Sequence, residues 1–403
     1  SVSTLDFNGS QGVTVTATSG AAGIATVVIT AGGFSPDADE NLVAGTDAGD
    51  NLDGTNACFN VLIGKDVGKA LISGANNTIL GCGAGEVMTS GACNVIIGKD
   101  AMGHCDVTGS NNVAIGCMAG RKVTSGNNNT FLGQYAGGGL TTGCSNFIAG
   151  LSAGSSGTIT GTHNILLGDC SGKHLSSGSK NVAIGQNAAL CLSGGFYNVM
   201  FGFNAGKCIE TGGNNVAIGA CAGLKNTGQA GNVFIGGSAG CNSTGSCNVF
   251  IGLNAGQKQG GYHYNTYIGH KAACDQSQGN NNVAIGFNVC LPVNTGNAAS
   301  KQLAIGHNDK QWIVGNCDYN IGIGTTNPNA PVGAGNTNKL SVGILSAYQL
   351  YGDGSNLSGI SAGFEPDDQG NLVAGTLAGT NKDADTEQNI LLGCKAGCCL
   401  NAG

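Results

Sequence analysis

The chain has 403 residues, of which 74 are glycine, 18 cysteine and only 5 proline, with 10 % charged and 5 % aromatic side chains. That little proline excludes collagen and Pro-rich linkers, and 41 % hydrophobic content with a mean hydropathy of +0.07 excludes the composition of disordered chains. A net charge of −7 argues against nucleic acid or an anionic membrane as partner. No apolar run reaches the length of about 18 residues that a membrane-spanning helix needs, so no membrane insertion is expected. The opening SVSTLDFNGS lacks the layout of a secretory signal, and the missing initiator Met reads as a processed or partial chain.

Residues 1–40 read as an N-terminal β cap or connector. A repeat then occupies 41–306. Asn112–Gly116 is NVAIG, as are Asn181–Gly185, Asn215–Gly219 and Asn282–Gly286. Looser copies start at Asn41, Asn60, Asn77, Asn94, Asn129, Asn146, Asn164, Asn198, Asn232, Asn248 and Asn265, and QLAIG at Gln302 closes the series. These are 16 copies of a unit whose commonest step is 17 residues, with the consensus N-V-x-I-G-x-x-A-G-x-x-x-x-S/T-G-x-x. Self-similarity at a fixed short period is the signature of a repeat architecture.

Seventeen residues are too few for a helical pair. The unit holds one short apolar run between Asn and Gly, which suits a strand buried on both faces, with glycines at positions 5, 9 and 15 marking turns. The expected fold is all-β: a Gly-rich β-solenoid or β-prism of about sixteen 17-residue coils. At a stacking distance of about 4.8 Å the coils make a rod of roughly 75 Å.

Strand positions 2 and 4 point to one face and position 3 to the other. Both are apolar. Val113 with Ile115, Val182 with Ile184 and Val216 with Ile218 are the expected core, while Phe131, Ile148, Met200, Phe234, Phe250 and Tyr267 occupy position 3. A lone solenoid leaves one of these faces in water, and an apolar stripe along a rod aggregates. A second and third copy of the chain, as a parallel homotrimer around a fibre axis, is the simplest cover. The repeat-leading Asn112, Asn129, Asn146, Asn164, Asn181, Asn198, Asn215 and Asn232 are expected to form a stacked amide ladder rather than ligand contacts, because they recur at every turn.

Residues 307–362 form a Trp-containing and GDGSNLSG β connector. GFSPDADENLVAGTDAG from Gly33 then returns as GFEPDDQGNLVAGTLAG from Gly363, so 363–403 read as the start of a second repeat module.

The NVAIGxxAG repeats resemble those in the heads of trimeric autotransporter adhesins. They are also similar to repeats in the tail fibres and appendages of marine cyanobacterial phages, whose chains combine them with motifs such as WIVG, NIGIGTTNP and LYGDGSNLSGI, here at Trp312–Gly315, Asn320–Pro328 and Leu350–Ile360. Motif order favours the phage group. The resemblance implies a homotrimeric rod, extracellular on a virion tail appendage. The rod spaces or carries a receptor-binding tip, with other virion proteins and a host surface receptor (a glycan or outer-membrane component) as partners. The 17-residue repeat departs from the shorter adhesin one. A bacterial surface adhesin and a glycan-degrading tailspike are the alternatives; an ice-binding solenoid is disfavoured because positions 10 to 13 are irregular.

Mapped on the repeat, Cys191 and Cys208 hold position 11 of successive coils, and Cys274 and Cys290 hold positions 10 and 9. Stacking brings such residues to about 5 Å, inside the disulfide range, so both pairs are disulfide candidates. No cysteine spacing reads as a metal site. No enzyme activity and no cofactor are expected. Between Val107 and Asn308 the acids are only Asp169, Glu210 and Asp275, at three different repeat positions. Nucleophile-elbow, zincin and P-loop motifs are absent from the sequence. His270 and His307 are the histidines considered for an ion on a fibre axis, and Asp37–Glu40 for a cation, with solvated surface residues the favoured reading of both.

Overall fold

The computed structural model describes strand segments within 13–31, then residues 36–291 apart from 259 and 276–278, residues 300–316 apart from 309, and the strands at 321–323, 372–374 and 390–392. The GDGSNLSG motif, most of the 363–403 echo and most of the N-terminal 40 residues lie outside the described residues. The chain divides into two units, Ser1–Asn329 and Ala330–Gly403.

In the first unit, β1 (Val13–Ser19) and β2 (Ala25–Ala31) pair as an antiparallel hairpin. A parallel ladder follows. It runs from β3 (Leu42–Ala44) through three-residue strands, one per repeat, to β17 (Val283–Ile285) and β18 (Leu303–His307). Each strand pairs with the strand one repeat later and in register, for example Ile165↔Val182, Leu166↔Ala183 and Leu167↔Ile184. This is a β-solenoid of about fifteen turns, as the repeat predicts. The ladder stops being parallel after β18, which pairs antiparallel with β19 (Lys310–Gly315) through a bulge between Ile305 and Gly306, and β19 pairs antiparallel with β20 (Ile321–Ile323). In the second unit β21 (Leu372–Ala374) and β22 (Ile390–Leu392) pair in parallel, as strands of the array do.

The Asn ladder is present in atomic detail. Asn164 donates its backbone N–H to Asn146 Oδ1 at 2.9 Å and its Nδ2–H to the same oxygen at 3.0 Å. Its second Nδ2–H goes to the Gly178 carbonyl of its own coil at 2.9 Å. The same set recurs at Asn112, Asn129, Asn146, Asn181 and Asn198. Each amide is buried and therefore needs these partners. Asn215 adds a bond to the Gln229 carbonyl, and Asn232 continues the run through its N–H and Nδ2. At the start, Asp37 stands in for a preceding Asn: its Oδ1 accepts the Asn41 N–H at 2.8 Å, the bond that Asn41 Oδ1 gives Asn60. The Asp37–Glu40 segment is thus a ladder cap.

Glycine at position 5 is required twice over. Gly150 has φ of 128°, and a Cβ there would stand 2.6 Å from the backbone carbonyl of Gly168 in the next coil. Left-handed residues also precede each ladder Asn, as at His163 (φ 58°) and Lys180 (φ 59°), and they turn the chain into the next strand.

The interior corrects the expected core. Position 3 points inward: Ala114, Ala183 and Ala217 are fully buried, as are Phe131, Ile148, Met200, Phe234, Phe250 and Tyr267. Val113, Val182, Ile184 and Val216 are only half-buried, and Ile115 and Ile218 are exposed. The reason is steric. One chain closes round a narrow tube that admits about three side chains per coil, at positions 3, 8 and 12, such as Phe131, Ala136 and Leu140. Positions 2 and 4 then flank the inward residue and must face out.

Candidate functional site: the outer face of the ladder

The outward strand positions line up along the rod because pairing is in register. Positions 2 and 4, joined by positions 6 and 17 on the same side of the strand, make a continuous face. Its apolar members include Ile115, Phe147, Ile165, Ile218, Leu253, Tyr264 and Ile268. The densest row belongs to the coil that starts at Asn198. There Tyr197, Val199, Phe201 and Phe203 alternate outward, with Phe201 51 % and Phe203 49 % exposed, and Phe196 stands beside them. Lys180 reaches Tyr197 from the previous coil, donating to its hydroxyl at 3.0 Å and lying 4.9 Å from the ring centre. Large contiguous apolar surface of this kind marks an interaction face.

Toward the end of the array, position 6 carries a stack of His270, Phe287 and His307, with centroid separations of 5.1 Å at both steps. The Phe287 ring stands between the two imidazoles, so within one chain they do not converge on one point. An open recess of about 460 Å³, lined by Asn281, Val283, Lys301, Gln302 and Leu303, lies on the same side.

The three acids occupy three rows. Asp169 is at the outward position 6, where its Oδ1 accepts the Leu151 N–H at 3.3 Å. Glu210 is exposed at position 13. Asp275 pairs with Lys258 at 2.6 Å, which holds its carboxyl below the usual range. Among the described residues no group of three His, Cys, Asp or Glu side chains is placed to hold a metal ion.

The candidate cysteines sit on the corner at positions 9 to 11. The Cys191 N–H donates to the Lys207 carbonyl at 2.9 Å, which sets Cys191 directly over Cys208. Both are thiols. Burial pushes the Cys191 thiol up, and the neighbouring Cys208 and Glu210 add to this while Lys207 opposes it. Cys274 lies beside Cys290 but one repeat position out of step, and burial and Asp275 push its thiol up too.

Sequence reasoning missed two buried polar side chains, Asn226 and Ser243, at position 12 of successive coils. Neither side chain has a hydrogen-bond partner, although both are fully buried. Their polarity breaks the apolar pattern of Leu140, Leu175 and Leu192 at that position, and that break was the available signal.

Fold and surface together define a parallel β-solenoid with one apolar face left open by the single chain. No protein-family model matches the chain, and no curated protein or solved structure is significantly similar to it.

Proposed function

We propose that this chain is a structural fibre segment of a virion tail appendage: a rigid homotrimeric rod that spaces or carries a receptor-binding tip for host attachment. The observation that supports it is the outer apolar face. Fifteen in-register turns give it a length of about 70 Å at the ordinary strand spacing, and three copies packed face to face around an axis bury it. The apolar stripe that one chain leaves uncovered lies on positions 2 and 4 instead of position 3. Ladder hydrogen bonds, the buried amide row and the packed interior supply stiffness, as in other one-dimensional repeat proteins. The rod itself performs no chemistry in this reading; a host surface glycan or outer-membrane component is the receptor class, and other virion proteins anchor the segment.

Antibodies raised against the purified chain test the assignment. Gold-labelled, they are expected to decorate thin appendages on phage particles in electron micrographs. Decoration of bacterial cell surfaces in the absence of phage would replace this reading with a trimeric surface adhesin. Loss of host polysaccharide on incubation with the purified chain would replace it with a tailspike depolymerase.

A further inference from the structure

We propose that Cys191 and Cys208 close into an inter-coil disulfide when the folded rod meets a small disulfide oxidant, stapling two adjacent turns after folding. The proposal rests on coil register and stands whether the rod is one chain or three.

Three observations carry it. First, the backbone bond from Cys191 N–H to the Lys207 carbonyl, at 2.9 Å, places the two cysteines at equivalent points of neighbouring coils. At the strand spacing their Cα atoms are about 4.8 Å apart, within the range of about 4.4–6.8 Å that a disulfide spans. Second, Cys208 is near enough to Cys191 to push its thiol up, as a neighbouring sulfur does. Third, the corner is fixed on both sides. Leu192 N–H bonds to the Ala189 carbonyl and Cys208 N–H to the Leu224 carbonyl, each at 3.0 Å, so closure asks for side-chain rotation and not for backbone movement. Both residues are half-buried, so neither is sealed from solvent.

The chemistry balances with oxidised glutathione as co-reactant. One cysteine thiolate attacks its S–S bond, forming a mixed disulfide and releasing one glutathione thiolate. The second cysteine thiolate attacks the protein sulfur of that mixed disulfide and releases the other. Two protein S–H bonds are lost, one protein S–S bond forms, the oxidant is reduced to two thiols, and the protons pass to the released thiolates. The thiolate is the nucleophile. Burial, Cys208 and Glu210 disfavour it at Cys191, and Lys207 opposes them only in part. Attack by Cys191 therefore becomes faster as pH rises.

The test uses the intact folded chain. It is incubated with oxidised glutathione, remaining thiols are alkylated, and the digest is read by mass spectrometry. A peptide joining Cys191 to Cys208, two hydrogens lighter than the sum of its parts, is expected, and reductant should abolish it. Its formation rate should rise about tenfold per pH unit between pH 7 and 8. Cys208→Ser should leave Cys191 as a glutathione mixed disulfide, which shows that the site is accessible even when it cannot close. Recovery of both cysteines as alkylated thiols under these conditions would overturn the proposal. So would a link formed equally well in guanidinium-unfolded chain, or one found only between two chains on a non-reducing gel.

Discussion

The coils that start at Asn129 and Asn232 share a backbone and differ inside. Phe131, Ala136 and Leu140 fill the first; Phe234, Ala239 and Ser243 fill the second, and all six are fully buried. The neighbouring coil carries Asn226 at the same position, and neither Asn226 nor Ser243 finds a side-chain partner. In compensation, Phe234, Phe250 and Tyr267 stack along the interior, with centroids 5.4 and 4.7 Å apart. The same register survives both interiors. What the two coils have in common is the amide ladder and the position-5 glycine, so these set the register, while the interior sets how much each coil contributes to stability.

Breaking the shared part should cost most. Asn164→Ala strands the Asn181 N–H, one of the two Nδ2–H groups of Asn181 and the Gly178 carbonyl, all of which bond to Asn164. At about 1–3 kcal/mol per buried unsatisfied group, a loss of about 4–5 kcal/mol is expected. Urea unfolding should show it, and amide exchange should be fastest in the coils on either side of 164. A loss below about 1 kcal/mol would show that the ladder does not set register.

Converting the first interior into the second comes next. Leu140→Ser removes a buried side chain and leaves a hydroxyl without a partner, for about 3 kcal/mol. The reverse exchange sharpens the comparison: Asn226→Leu replaces two unsatisfied groups with an apolar side chain of similar size and should stabilise by about 1–2 kcal/mol. Equal stability of the two variants would mean that position 12 carries no energetic weight.

The smallest effect concerns acid. At Asp37 a little burial raises the carboxyl, but bonds from Asn41 and Asp39 outweigh it and hold it below the usual range. Backbone N–H groups of Asn56 and Thr55 do the same at Asp53, more strongly. A carboxylate depressed in the folded state stabilises above its unfolded pKa, about 3.9, and loses that contribution as pH falls through the folded value. Fraying of the first coils, read by amide exchange, is therefore expected below about pH 4. Asp37→Asn should remove the Asp37 part of this pH dependence, since an amide oxygen can accept the Asn41 N–H without titrating, and leave the larger Asp53 part in place.

The period of 17 made the fold class, the strands and the ladder Asn legible. It did not reveal which strand face turns inward. VAI, VFI and ILL are apolar at all three positions, so their alternation carries no polarity, and only the narrowness of a one-chain tube sends the single middle residue inside. The left-handed corner residues were half-legible for a similar reason. Asn at 187, 204 and 254 signals a positive φ, whereas Tyr135, Cys170 and Lys271 adopt it at the same repeat position without advertising it. The outer apolar face is the surface left over once the interior is full, and no residue pattern marks it in advance.

That leftover face is what the proposed fibre depends on, and the mass of the folded chain in solution tests it most directly. Light scattering with reductant present is expected to give 3 × 39.6 = 118.8 kDa, and Phe201→Asp should shift it downward by breaking the aromatic row. A stable 39.6 kDa particle in the native chain would contradict the account, because the face of Ile115, Phe201 and Ile218 would then stand in water along the whole rod.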